Sequence, residues 1–211
     1  MFCNKNNINW NEHDKLRELV KARVKEKRYI HTLGVESESV KLAEIFGCGA
    51  ELVKKIKSAA LLHDITKEQS REEQLEICVK YKIKLNGNDK RIYQGWHAAT
   101  GAYVARREFG ADDIIFNAIY NHTYGAVYKK FDLAGKIIYL ADWIEPNRDD
   151  ANCLAVREYF YKNLENHEDK YRALDGSILF AADAAFKLVI ENNLIMHKRA
   201  VKCRNSFIIN K

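Results

Sequence analysis

Residues 59–67 read Ala59-Ala60-Leu61-Leu62-His63-Asp64-Ile65-Thr66-Lys67. Small and apolar residues run into an adjacent imidazole and carboxylate, and a cation follows one turn later. Side chains adjacent on a helix diverge by about 100°. At a helix end the last turn can relax, so His63 and Asp64 could face one ion. The plainer alternative is a helix C-terminus whose histidine binds carbonyl oxygens.

The pattern around this stretch is helical. A first helix is expected from Asn11, an N-cap followed by Glu12 and Asp14, with Leu16, Leu19, Val20 and Val24 on its apolar face. A second covers about 29–46, with His31, Val35, Leu42 and Phe46 in line. The third is about 51–63. Ser70 to Glu73 has the form of a capping box and opens a fourth through Leu75, Cys78 and Val79. After a loop at 86–90, a fifth helix is expected over about 93–109. Asp112 caps a sixth carrying Ile115, Ala118, Ile119 and His122. Leu133, Ile137, Leu140 and Ile144 define a seventh that stops at Pro146. Two more are expected, about 150–166 and 175–193.

Composition agrees. In 211 residues there are one proline and 10 glycines, too few turn formers for many short strands. The hydrophobic fraction of 47% supplies a core. The expected fold is all-α, one helical domain over 1–195 with a basic C-terminal tail over 196–211. In that tail Lys198, Arg199, Lys202, Arg204 and Lys211 meet no acid.

The formal net charge of +6 permits an anionic substrate without requiring nucleic acid. No run approaches the roughly 20 apolar residues of a membrane span. The start, Met1 to Asn7, lacks the apolar stretch of a signal peptide. Five scattered cysteines without a CxxC disfavour a zinc knuckle and point to reduced thiols in a cytoplasm.

Five of the seven histidines fall at expected helix ends or on apolar faces: His31, His63, His97, His122 and, less clearly, His197. Burying imidazoles costs free energy unless each has a partner, and a shared metal supplies one. Asp142 lies in an apolar helix, where an unpaired carboxylate would be expensive; a buried salt bridge to a lysine is its alternative reading. Imidazole with carboxylate suits borderline divalent ions such as iron or manganese. His13 and His167 lie in charged surroundings and read as solvated.

Taken in order, His31, His63-Asp64, His97, His122 and Asp142 resemble the HD superfamily of metal-dependent phosphohydrolases. Finer strings are similar to its YqeK-type branch, the symmetrical diadenosine tetraphosphate hydrolases. They are Arg28-Tyr29-Ile30-His31-Thr32-Leu33-Gly34-Val35, Leu61 to Lys67, His97-Ala98-Ala99-Thr100-Gly101, His122-Thr123-Tyr124-Gly125 and Ala141-Asp142-Trp143-Ile144-Glu145-Pro146-Asn147-Arg148. The likeness is strong over about 14–148 and fainter to Asn205. Tyr124 departs from the small residue usual in that branch, and the tail lacks a proline near Lys198.

The resemblance implies an HD-type helical fold and a divalent metal, iron first and manganese next, as one or two ions. It implies His31, His63, Asp64 and Asp142 as ligands, with His97 and His122 facing the phosphates or a second metal. It also implies cleavage of diadenosine tetraphosphate in the middle, giving two ADP. Asp64 is expected between metal and water. Lys67, His97 and His122 are the other expected catalytic groups. Lys67 and Arg148 are placed to meet phosphate oxygens, and Thr123 to donate its hydroxyl. Tyr124, Trp96 and Trp143 could stack on a base, and Arg204 and Asn205 fit a C-terminal segment of the branch. Besides the nucleotide, the one partner considered is a second copy in a homodimer. Competing functions are an HD phosphohydrolase for another nucleotide, a nucleotide sensor without turnover, and a helical nucleic-acid-binding module.

Overall fold

The computed structural model describes residues 13–85, 87–166 and 169–210; the expected cap at Asn11, Glu12 and His167 lie outside them. Among the described residues there are ten α-helices and no strands. They are α1 (His13–Lys21), α2 (Glu26–Ile45), α3 (Ala50–Leu62), α4 (Arg71–Lys80), α5 (Trp96–Glu108), α6 (Asp113–Asn121), α7 (Leu133–Ile144), α8 (Ala151–Asn166), α9 (Lys170–Glu191) and α10 (Lys198–Ile209). Short 3-10 turns at Gly87–Arg91, Tyr93–Gly95 and Tyr128–Lys130 join them.

The helix starts follow local chemistry. Ser70 and Glu73 form the reciprocal capping box, Glu73 N donating to Ser70 Oγ at 3.2 Å and Ser70 N to Glu73 Oε2 at 2.7 Å. Asp112 and Asp132 cap α6 and α7 by accepting from Ile115 N and Gly135 N. Pro146 ends α7, with Glu145 already extended at ψ 146°.

The core lies where α2, α3, α6 and α7 meet, filled by Leu42, Ile56, Leu61, Ile115, Ile119, Ile137 and Leu140, all 0–1% exposed. α5 packs on α6, and α8 and α9 flank α7. His31, Val35, Leu42 and Phe46 are buried as their spacing predicts.

Several expectations need correction. α9 starts at Lys170, not 175, because Asp169 is its cap, accepting from Tyr171 N at 2.9 Å. Asp175 instead accepts from Lys136 Nζ at 2.6 Å. On α4 the buried residues are Gln74 and Cys78, while Leu75 and Val79 are 47% and 74% exposed. Gln74 is satisfied inside through Gln69 O and Thr100 Oγ1. On α1 Leu19 is exposed. The stretch expected as a tail folds as α10 against α9, burying Cys203 and Phe207. Its basic residues had hidden that short apolar stripe. His13 is half-buried and bonded rather than free in solvent: its Nε2 lies 3.2 Å from both Lys54 O and Ser58 Oγ.

Candidate metal centre and active site

Four helix ends and one helix interior converge on Asp64. His31 comes from α2. His63 ends α3 and Asp64 follows it. His97 lies in the first turn of α5, His122 ends α6, and Asp142 lies in the last turn of α7. All but Asp142 are 8% exposed or less.

Each imidazole has one nitrogen fixed to an oxygen. His63 Nδ1 donates to Ala60 O at 2.6 Å, His122 Nδ1 to Ile119 O at 2.7 Å and His97 Nδ1 to Gln94 O at 2.8 Å. Carbonyl oxygens only accept, so these nitrogens carry the proton and Nε2 keeps its lone pair. His31 Nδ1 faces Glu145 Oε1 at 3.1 Å. The carbonyl-capping alternative for His63 is therefore true of one nitrogen, and it frees the other.

All four Nε2 atoms surround the Asp64 carboxylate. Oδ2 lies 3.6 Å from His63 Nε2 and 3.8 Å from His31 Nε2. Oδ1 lies 3.4 Å from His97 Nε2 and 3.5 Å from His122 Nε2. Asp142 Oδ1 joins the first pair, 3.2 Å from His31 Nε2 and 4.0 Å from His63 Nε2. Two overlapping ligand groups result: His31, His63 and Asp64, and Asp64, His97 and His122.

Buried His31 Nε2, His63 Nε2 and Asp64 Oδ1 have no hydrogen-bond partner. The 3.2 Å approach of Asp142 to His31 Nε2 is off the hydrogen-bond direction. Three orphaned donor atoms on one centre are costly by themselves and fit a divalent cation. Neutral imidazoles with carboxylates are the donor set for it.

The electrostatics favour neutral His63 and His97 and ionised carboxylates, whereas His31 in the metal-free chain is protonated at neutral pH and would release its proton on ligating a cation. Burial pushes His63 down to about 4 against the pull of Asp64 and Asp142. Burial and the Lys67 ammonium push His97 well below its ordinary value. Burial alone would raise Asp64, but His63, His122 and Lys67 hold it well below the carboxylate range. Asp142 is likewise held low against burial, by His31 and Arg148. Burial would lower His31, yet Asp142 and Glu145 outweigh it and raise the imidazole to about 9.

Other predicted residues divide. Lys67 Nζ lies 3.0 Å from His97 Nε2, and Thr123 Oγ1 lies 3.0 and 3.1 Å from the Nε2 atoms of His97 and His122. Both are at the centre. Arg148 is bound to Asp142, Nη2 to Oδ1 at 2.7 Å and Nε to the main-chain O at 3.0 Å. The ion-pair partner of Asp142 is thus a half-buried arginine rather than a lysine. Tyr124 is stacked on His197, ring centroids 3.9 Å apart, so that face is not open to a base. His197 is buried, 6% exposed, and donates to Asp89 Oδ1 at 2.7 Å. Arg204 is paired to Asp183 on α9 at 2.6 Å, and Asn205 is exposed. Trp96 is buried and Trp143 half-buried.

Two residues stand in the family-like strings but carry no role in the sequence reading. Arg28 Nη1 donates to Asp64 Oδ2 at 2.6 Å. It stands three residues before His31 on the same face of α2, the spacing that could have pointed to it. Glu145 orients His31 and also accepts from Asn147 N and Nδ2. Gly34 makes room for it: a Cβ there would stand 2.0 Å from Glu145 Oε2.

The HD domain family matches residues 28–147, a span that contains all four histidines and both aspartates. The chain belongs to the HD domain family. Within the family it is 42% identical to the symmetrical bis(5'-nucleosyl)-tetraphosphatase of Bacillus subtilis, over 61% of this chain and 67% of that one. The Staphylococcus aureus protein of the same name is 27% identical over 92% of this chain and 93% of its own. A crystal structure from Clostridium acetobutylicum, described as a predicted HD superfamily hydrolase involved in NAD metabolism, superimposes with TM-score 0.81. It is 30% identical, over 95% of this chain and 98% of that one.

Proposed function

We propose that this HD-family chain is a hydrolase that cleaves diadenosine tetraphosphate symmetrically into two ADP. One observation carries the chemistry: the Asp64 carboxylate turns one oxygen to the His31–His63 pair and the other to the His97–His122 pair. The names of the Bacillus and Staphylococcus relatives support the substrate.

His31, His63, Asp64 and Asp142 would hold one divalent cation, and Asp64, His97 and His122 a second where two are bound. Iron is the first candidate and manganese the next, from the imidazole and carboxylate donors. A cation held there supplies Lewis acidity to a phosphoryl oxygen and lowers the pKa of a water.

The protein groups do the rest. Asp64 is placed to orient the attacking water. Lys67 and Thr123 offer donors to the phosphate chain beside His97 and His122, and the Lys67 ammonium offsets charge that builds on the leaving ADP. Arg148 holds Asp142 toward the centre while its exposed edge meets the polyphosphate. Arg204 and Asn205 of α10 are assigned to the outer part of the substrate, Arg204 by exchanging Asp183 for a phosphate. Tyr124 would offer only the face turned away from His197.

No helix of the described residues is long and apolar enough to cross a membrane. The described cysteines Cys48, Cys78, Cys153 and Cys203 are free thiols, which supports a reducing cytoplasm as the place of action.

The test is anaerobic purification with elemental analysis, followed by chromatography of the products from diadenosine tetraphosphate. Two ADP per substrate, lost on chelation and restored by iron or manganese, is the expected result. AMP plus ATP, or bound ADP without turnover, would contradict it.

A further inference from the structure

We infer that α10 is a positioning element for the His97–His122 half of the centre, acting through Arg199 and His197. The inference rests on the hydrolase proposed above and adds to it residues that touch none of the reacting atoms.

Two routes run from the start of α10 to that half. The first is Arg199. Its Nη2 alone donates to Asn121 Oδ1 at 2.8 Å, Tyr120 O at 3.2 Å and Gly125 O at 3.3 Å. These acceptors bracket His122 and Thr123 on both sides. Two of them are carbonyls, at the last turn of α6 and at the loop behind it, where helix-end oxygens need donors and a cation suits the dipole. The main chain already closes this loop, Gly125 N donating to Asn121 O at 2.7 Å; the guanidinium adds a second tie, from the Asn121 side chain to Gly125 O, and links both to α10.

The second route is His197. Its Nδ1 accepts from Arg199 N at 3.1 Å as the cap of α10, so Nε2 carries the proton that goes to Asp89 Oδ1. Asp89 O in turn accepts from Trp96 Nε1, the residue before His97. The His197 ring also stacks on Tyr124, within 8° of parallel. Tyr124 is wedged so close to Gly95 that a Cβ there would stand 1.7 Å from its hydroxyl. His122 and His97 are thereby referenced to one helix, whereas His31 and His63 are fixed by Glu145 and Ala60.

The geometry distinguishes charge from bulk. Because one nitrogen makes all three Arg199 contacts, a lysine ammonium with three donors can replace it, and a methionine, which keeps an unbranched stem without a donor, cannot.

The experiment uses the full chain loaded with zinc, which is diamagnetic, and records long-range ¹H–¹⁵N correlations of the histidine rings for wild type, Arg199→Met, Arg199→Lys and Asn121→Ala. Expected are shifted His97 and His122 resonances in Arg199→Met, unmoved His31 and His63, and return toward wild type in Arg199→Lys. Asn121→Ala, which removes an acceptor from the opposite side, reproduces the shift if the methionine variant fails to fold. With the native metal, kcat/KM for diadenosine tetraphosphate falls about tenfold in Arg199→Met, in line with the loss of one outer-shell partner. Unmoved His97 and His122 rings, or all four rings moving together, would overturn the inference. A wild type that does not hydrolyse the substrate would sink the proposed reaction and leave the ring result standing.

Discussion

His31 and Glu145 face each other across the packing of α2 on α7, with Nδ1 3.1 Å from Oε1. A carboxylate behind an imidazole fixes the ring and raises its basicity as a ligand. Glu145→Ala is expected to weaken cation binding about 10–100-fold while the helical spectrum is kept. Equilibrium metal titration followed by circular dichroism checks both.

Gly34→Ala should resemble that variant without removing a polar atom. Its methyl would occupy space now held by the Glu145 carboxylate, 2.0 Å from Oε2, and Asn147 Nδ2, 2.7 Å away. Glu145 must then swing off His31. The expected result is weakened metal binding together with a lowered Tm. Wild-type affinity would show that the carboxylate does not govern the ring.

Metal-free protein should be most stable near neutrality. His31, raised from 6.5 to about 9, is protonated in the folded chain where the unfolded chain has lost its proton. Its contribution is full below pH 6.5 and disappears as pH rises through about 9. His63, lowered to about 4, behaves oppositely. Its contribution is full above 6.5 and is lost as pH falls toward 4, where the unfolded chain takes up the proton first. Depressed Asp64 and Asp142 add further loss below the ordinary carboxylate range, near 3.8. Denaturant titrations across pH 4–10 should therefore give a maximum around 6.5. A monotonic rise to pH 9 would contradict the His31 assignment.

Lys67→Ala should raise KM or lower kcat and leave the metal in place, since Lys67 approaches His97 rather than a carboxylate. Arg28→Met is expected to act on the other oxygen of Asp64, reducing phosphate affinity. Elemental analysis beside steady-state kinetics separates the two effects. Loss of metal in Lys67→Ala would mean that its role is misassigned.

Much of this organisation was legible in the chain. Apolar spacing and caps at Ser70, Asp112 and Pro146 placed most helices, and the buried titratable residues marked the centre. What sequence could not show has physical causes. The start of α9 is set by Asp169, which accepts from Tyr171 N, while Asp175 is taken up by Lys136 on another helix. α10 carried so many cations that its buried pair, Cys203 and Phe207, escaped notice. Arg28 and Glu145 act from behind the ligands, and such partners are selected by tertiary geometry. The partners of His197 and Arg204, Asp89 and Asp183, are distant along the chain, so no local spacing points to them.

The most direct test is the metal content of Asp64→Ala beside wild type, both purified anaerobically and shown to be folded by thermal melting. Removing the one carboxylate that touches both histidine pairs should abolish bound metal and turnover together. A full metal complement with normal cleavage of diadenosine tetraphosphate would contradict the account at its centre.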